Sequence, residues 1–190
     1  MSEVEIQIGG LGGQGVILAG MVIGRGLVLY DGYHVSLTQS FGPEARGSAC
    51  SAQLVVSREP VLYPYVTNPH ILVTLSQEAY RRFVPSLRPG GTLIVEADLV
   101  QAVPLPDAVA LYRVPATRLA EALGRRLVMN MVLVGFFTAV IGLPHPDSVR
   151  RAIRDSVPTG TEALNLAAFE QGYNFGLKQL AGKSEADILH

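Results

Sequence analysis

Gly10, Gly12 and Gly15 stand at G-x-G-x-x-G spacing within Gly9-Gly10-Leu11-Gly12-Gly13-Gln14-Gly15, five glycines in seven positions. Glycine at those places permits a tight turn, close backbone approach to an anion, and close packing of a helix on a strand. The chemistry on offer is phosphate binding, with bare N–H groups and the positive end of a helix dipole facing negative oxygens. That chemistry needs a strand before the turn and a helix after it. Val4-Glu5-Ile6-Gln7-Ile8 supplies the strand, apolar at alternate positions. Residues 16–30 supply an apolar run long enough for about four helical turns. Gly10, Gly12, Gly13, Gln14 and Gly15 are therefore the first candidate binding residues. The plainer reading is a glycine-rich turn that only lets the helix lie close to the sheet.

A second polar loop, Gln39-Ser40-Phe41-Gly42-Pro43-Glu44-Ala45-Arg46-Gly47-Ser48, follows a strand predicted over 33–38. Ligands of open α/β sheets bind beyond the carboxyl ends of the strands, so this loop shares an edge with the Gly12 turn. Ser40 offers a hydroxyl, Gly42 a close approach, and Arg46 a fork suited to two phosphate or carboxylate oxygens. A Glu44–Arg46 ion pair or a partner contact is the competing use of the loop. A dinucleotide dehydrogenase needs a carboxylate at the end of the second strand. Thr38-Gln39-Ser40 has none, and Asp31 precedes the strand, where it reads as a turn residue beside Gly32. The glycine loop carries no P-loop lysine, and no nucleophile elbow occurs. His34, His70, His145 and His190 are scattered, without metal-ligand spacing to one another or to Cys50. No catalytic residue is assigned.

The elements that must position these loops alternate in type. Strands are predicted over 4–8, 33–38, 49–56, 71–75, 92–95 and 109–114. Helices are predicted over 16–30, 76–83, 116–123, 127–141, 147–156 and 162–180. The fold class is α/β: three layers, α/β/α, around a largely parallel sheet in which mixed pairing is allowed. A Rossmann-like βαβ unit opens it, with strands 4–8 and 33–38 parallel through a right-handed crossover. Residues 1–181 form one domain, and 182–190 a polar tail expected to fray. Gly20 and Gly24 share a helix face, which calls for close sheet packing or a partner helix. Residues 127–143 carry no charge. Seventeen residues is the short limit for a membrane span, so this is read as a deeply buried or interface helix. Asn130 within it reads as a hydrogen-bonded core or interface residue.

Composition bounds the rest. The 190 residues are 48% hydrophobic but only 16% charged, below the roughly 25% typical of soluble domains. So little charge implies a large interface. A net charge of −1 gives no basic field for nucleic acid. Cys50 is the single cysteine, which excludes a disulfide framework and an iron–sulfur cluster held within this chain. It fits a reducing, cytoplasmic setting, and no signal peptide is read at the N-terminus.

The motifs together resemble the gamma subunit of 2-oxoacid:ferredoxin oxidoreductases, the 2-oxoglutarate or pyruvate synthase family. The resemblance is carried by Gly9 to Gly15 and by Gln39-Ser40-Phe41-Gly42-Pro43-Glu44-Ala45-Arg46-Gly47. Pro69-His70-Ile71-Leu72-Val73, Pro89-Gly90-Gly91-Thr92-Leu93-Ile94-Val95 and Asn130-Met131-Val132-Leu133-Val134-Gly135 follow in the family's order. The resemblance spans about residues 4 to 175. It implies a CoA-binding and assembly subunit that is inactive alone, in an enzyme that oxidatively decarboxylates a 2-oxoacid, 2-oxoglutarate being favoured, to an acyl-CoA. It also implies alpha and beta subunits, with a ferredoxin-like delta subunit as a further candidate. These would carry thiamine diphosphate, Mg and [4Fe-4S] clusters and pass electrons to ferredoxin. Ser48 stands where the family often has glycine, and His70 where it usually has aspartate. A stand-alone Rossmann-type nucleotide-binding oxidoreductase and a structural partner subunit without ligand are the alternatives.

Overall fold

The computed structural model describes residues 3–41, 49–103, 105 and 108–188. β1 (Val4–Leu11) directs Ile6 and Ile8 into the main core on one face. Strand alternation sends Glu5, Gln7 and Gly9 to the other. β2 (His34–Phe41) and β3 (Ala49–Ser57) pair antiparallel, and β3 pairs antiparallel with β1. β4 (Ile71–Thr74), β5 (Thr92–Glu96) and β6 (Ala110–Val114) add in parallel on the other side of β1. The order is β2-β3-β1-β4-β5-β6. Five strands point one way and β3 points against them, so the sheet is largely parallel with one antiparallel insertion.

That insertion corrects the opening βαβ unit. β1 and β2 do run in the same direction, but β3 fills the slot between them. The return from Phe41 to Ala49 is too short for a parallel crossover, which needs a dozen or more residues. β3 also presents Cys50, Ala52, Leu54 and Val56 to the main core. The same pairing lengthens two strands. Gly10 and Leu11 sit opposite Cys50 and Ala49, and Gln39, Ser40 and Phe41 opposite Ala52, Ser51 and Cys50. Residues read as turn or loop are therefore strand, because a partner across the sheet supplies the hydrogen bonds that local propensity does not.

Helices cover the two faces unequally. α1 (Val16–Leu29), α3 (Ala116–Ala122), α4 (Met129–Ile141), α5 (Pro146–Ser156) and α6 (Glu162–Ile188) share one core with Ile6, Ile8 and Ile94. α2 (Gln77–Phe83) covers the other face, where Tyr80 packs with Leu72, Leu93 and Val95. α4 and α6 touch backbone to backbone. A Cβ at Gly135 would fall 2.0 Å from the Phe169 carbonyl oxygen, and one at Gly172 1.8 Å from that of Val132. The uncharged helix is thus buried inside the chain. No helix among the described residues is long and apolar enough to cross a membrane. α6 runs through Ile188, past the stop read at 180, since the Lys, Glu and Ala beyond Gly182 favour helix.

Candidate functional site

The glycine turn spans Gly12 to Gly15, between the end of β1 and the start of α1. Gly13 has φ +98° and open space around its Cα. Gly15 is left-handed at φ +72° and is the N-cap of α1, with no side-chain hydrogen bond to the helix. Among the described residues, the N–H groups of Gly12 and Gly13 meet no acceptor. A side chain at Gly10 would meet Val16 Cγ2 and Gln14 Oε1 at 2.7 Å, so the missing Cβ is what lets α1 start hard against β1. The helix dipole therefore opens onto a turn of bare, partly exposed backbone donors, which is an anion-binding arrangement.

Gln14 works inside the chain. Its Oε1 accepts from the Leu11 N–H at 2.7 Å, and its Nε2 donates to the Leu75 carbonyl at 2.9 Å. It ties the turn to the end of β4. Ser40 is an exposed residue of β2. The row Phe41–Cys50–Gly10 crosses β2, β3 and β1. Two strand spacings, about 10 Å in all, therefore separate the end of β2 from the base of the glycine turn. The two motifs leave the sheet at one edge. Gly42 and Arg46 lie outside the described residues.

Other polar groups that could do chemistry, at this edge and at the opposite one, are already engaged. Cys50 is buried in β3, and that burial pushes its thiol pKa up, so it is held as an unreactive thiol. Glu96, fully buried, accepts from the N–H groups of Asp98, Leu99 and Thr117 at 2.7, 2.7 and 3.0 Å. It fastens the turn after β5 to the start of α3. Asp31 accepts from the His145 N–H at 2.8 Å and from the Ser148 hydroxyl, so it holds the start of α5 rather than serving only its own turn. A cleft of about 630 Å³ between α2 and the segment after β5 is lined by Gln77, Tyr80, Arg81, Val84, Leu99 and Val103. No residue of the glycine turn lines it.

Two features go beyond the sequence reading, which has Asn130 as a hydrogen-bonded core or interface residue without a named partner. Asn130 donates from Nδ2 to the Gly15 carbonyl at 3.4 Å, across 115 positions. Just before it, Arg125 and Arg126 are exposed and make no ion pair among the described residues. The lone polar amide in an uncharged helix was the available signal for the first. The second had none before the topology was known.

Residues 5–175 match the pyruvate ferredoxin/flavodoxin oxidoreductase family. The chain belongs to that family. As an oxidoreductase-family chain it is 44% identical over 171 residues to the 2-oxoglutarate synthase subunit KorC of Methanocaldococcus jannaschii, covering 89% of this chain and 91% of that one. The gamma subunit of a keto/oxoacid ferredoxin oxidoreductase from Geobacter sulfurreducens superposes with a TM-score of 0.84 at 32% identity. That match covers 94% of this chain and 98% of the other. A 2-oxoglutarate:ferredoxin oxidoreductase from Magnetococcus marinus, solved with 2-oxoglutarate, coenzyme A and succinyl-CoA bound, shares the fold at TM-score 0.83 and 22% identity. The match spans 93% of this chain but 31% of the longer one.

Proposed function

We propose that this chain is the CoA-binding gamma subunit of a thiamine diphosphate-dependent 2-oxoacid:ferredoxin oxidoreductase whose oxoacid is 2-oxoglutarate. The observation that carries the reading is the turn at the start of α1: two left-handed glycines, bare N–H groups and an N-cap without a side-chain acceptor. A pyrophosphate fits it, and CoA carries one. Gly10 and Gly15 shape the turn, Gly12 and Gly13 offer N–H donors, and Gln14 braces it. Ser40 offers its hydroxyl from β2, and Gly42 and Arg46, which follow it in the sequence, are assigned to the same ligand by their chemistry alone. The KorC relatives favour 2-oxoglutarate as the oxoacid. Alpha and beta subunits, with a ferredoxin-like delta subunit, hold thiamine diphosphate, Mg and the [4Fe-4S] clusters and reduce ferredoxin in the cytoplasm. Thiamine diphosphate supplies the electron sink for decarboxylation. This chain binds and orients the CoA that accepts the acyl group.

The test is Arg46→Ala in the assembled complex. A charge-assisted hydrogen bond is worth roughly 1.5–3 kcal/mol, or about one to two decades in affinity. The KM for CoA should rise about tenfold or more, while decarboxylation assayed without CoA changes little. An intact complex with unchanged CoA KM removes Arg46 from the site. Loss of both half-reactions together assigns Arg46 to assembly instead.

A further inference from the structure

We propose that Asn130 is the positioning residue of the anion turn, aiming the first N–H of α1 by holding the Gly15 carbonyl from behind. The proposal rests on CoA binding at that turn. Asn130 is 4% exposed and is the second residue of α4. Its Oδ1 accepts from the Met131 N–H at 3.0 Å, and its Nδ2 donates to Gly15 O. The same carbonyl accepts from Ala19 N–H at 3.0 Å, the first bond of α1. Both lone pairs are thereby engaged.

In a trans peptide the C=O and the following N–H point in opposite directions. Drawing the Gly15 carbonyl toward Asn130 and Ala19 therefore turns the Val16 N–H away from the helix body, toward the open turn. The amide also occupies the space a side chain would need at Gly15. A Cβ there would fall 2.4 Å from Nδ2 and 2.7 Å from Cγ. Gly15 is thus required twice, by its left-handed backbone and by its neighbour.

The brace has a rigid anchor. α4 meets α6 backbone to backbone at Gly135 and Gly172, and groups mounted on packed helices hold their aim better than groups on loops. The only other polar side chain in α4, Thr138, bonds back to the Val134 carbonyl at 2.8 Å. Of these two, only Asn130 reaches across to another element. An amide buried among apolar residues lowers stability unless it is bonded, and part of its bonding goes to the turn.

The experiment uses the complete complex with 2-oxoglutarate, CoA and a redox dye, comparing native protein with Asn130→Ala, Asn130→Ser and Asn130→Asp. The expected result is a CoA KM raised about fivefold in the Ala variant and more in the Asp variant, which sets a carboxylate behind an anion. Ser, a shorter donor, should fall between native and Ala. The kcat at saturating CoA should change less than twofold in all three, a split that a purely structural role would not produce. Hydrogen exchange of residues 12–16 with and without CoA reports separately on the site. Absence of CoA protection in the native complex overturns the CoA reading itself. Protection in the native complex with native KM in every variant overturns the role of Asn130 alone. Failure of all three variants to assemble also overturns it, by making Asn130 a determinant of folding.

Discussion

His70, read from the sequence as a departure from the resembled family's pattern, is taken up at the entry to β4. It stands just before β4, where its Nδ1 accepts the Glu5 N–H at 3.1 Å and Arg88 abuts its Nε2. Partial burial lowers its pKa below the ordinary 6.5, the charge of Arg88 adds to this, and Glu5 opposes it. The folded state thus favours the neutral ring and binds fewer protons than the unfolded chain just below pH 6.5. Stability from this residue is present above that pH and declines as pH falls through the lowered value. The ring is partly exposed, so solvent screens the effect. The thermal midpoint should be flat near pH 7 and above and drop on mild acidification. His70→Asn, which keeps an acceptor but cannot titrate, should make that drop shallower. Parallel pH profiles for variant and native chain would dismiss the residue as a contributor. The side chain serves the start of a strand at the edge opposite the glycine turn, so CoA kinetics should not follow it.

At the scale of elements, α1 was read as a helix with one glycine face, and its two glycines prove unequal. A Cβ at Gly20 would fall 2.7 Å from Ala52 Cβ on β3, whereas one at Gly24 would make an ordinary contact at 3.4 Å with Leu54. Sheet packing, not a partner helix, occupies that face. Alanine favours a helix by about 1 kcal/mol over glycine, and overpacking a tight contact costs about 1–3 kcal/mol. Gly24→Ala should therefore be neutral or stabilising, and Gly20→Ala should destabilise by about 1–2 kcal/mol. Denaturant midpoints of the two variants decide it, and an equal response would show that the helix shifts to accommodate both. The example marks what a sequence discloses. Helix and strand periodicity over α1, β4 and β5 was plain because each buries a continuous apolar set. The antiparallel insertion of β3 was not, because nothing local to β1 or β2 records which strand lies between them. The ends of β1 and β2 were read short for the same reason.

Across the whole molecule, the shared direction of β1, β2, β4, β5 and β6 brings the glycine turn and the end of β2 to one edge. That much of the site was legible, since strand–turn–helix order and the rule of carboxyl ends depend only on sequence order. Asn130 was not, because its partner lies 115 residues away and only the packing of α4 beside α1 joins them. The apolar helix was read as either core or interface, and residues 129–139 of it are buried within the chain, against α6 at Gly135 and Gly172. The chain's low charge still asks for a partner, though large apolar side chains such as Leu62, Tyr63 and Tyr65 are what it now exposes. An iron–sulfur cubane takes four thiolates. One cysteine, buried in β3 with its thiol pKa raised, cannot provide them. Among the described residues no three His, Cys, Asp or Glu side chains gather to hold a metal. The pyrophosphate site proposed at the turn calls for none of these groups. The isolated chain should therefore protect its residue 12–16 amides when CoA is added yet show no oxidation of 2-oxoglutarate with thiamine diphosphate, Mg, CoA and a redox dye. Adding the partner subunits should start turnover at unchanged dye and CoA concentrations. Dye reduction by the chain alone, proportional to its concentration and lost with Gly15→Val, would place the chemistry here and defeat the division of labour.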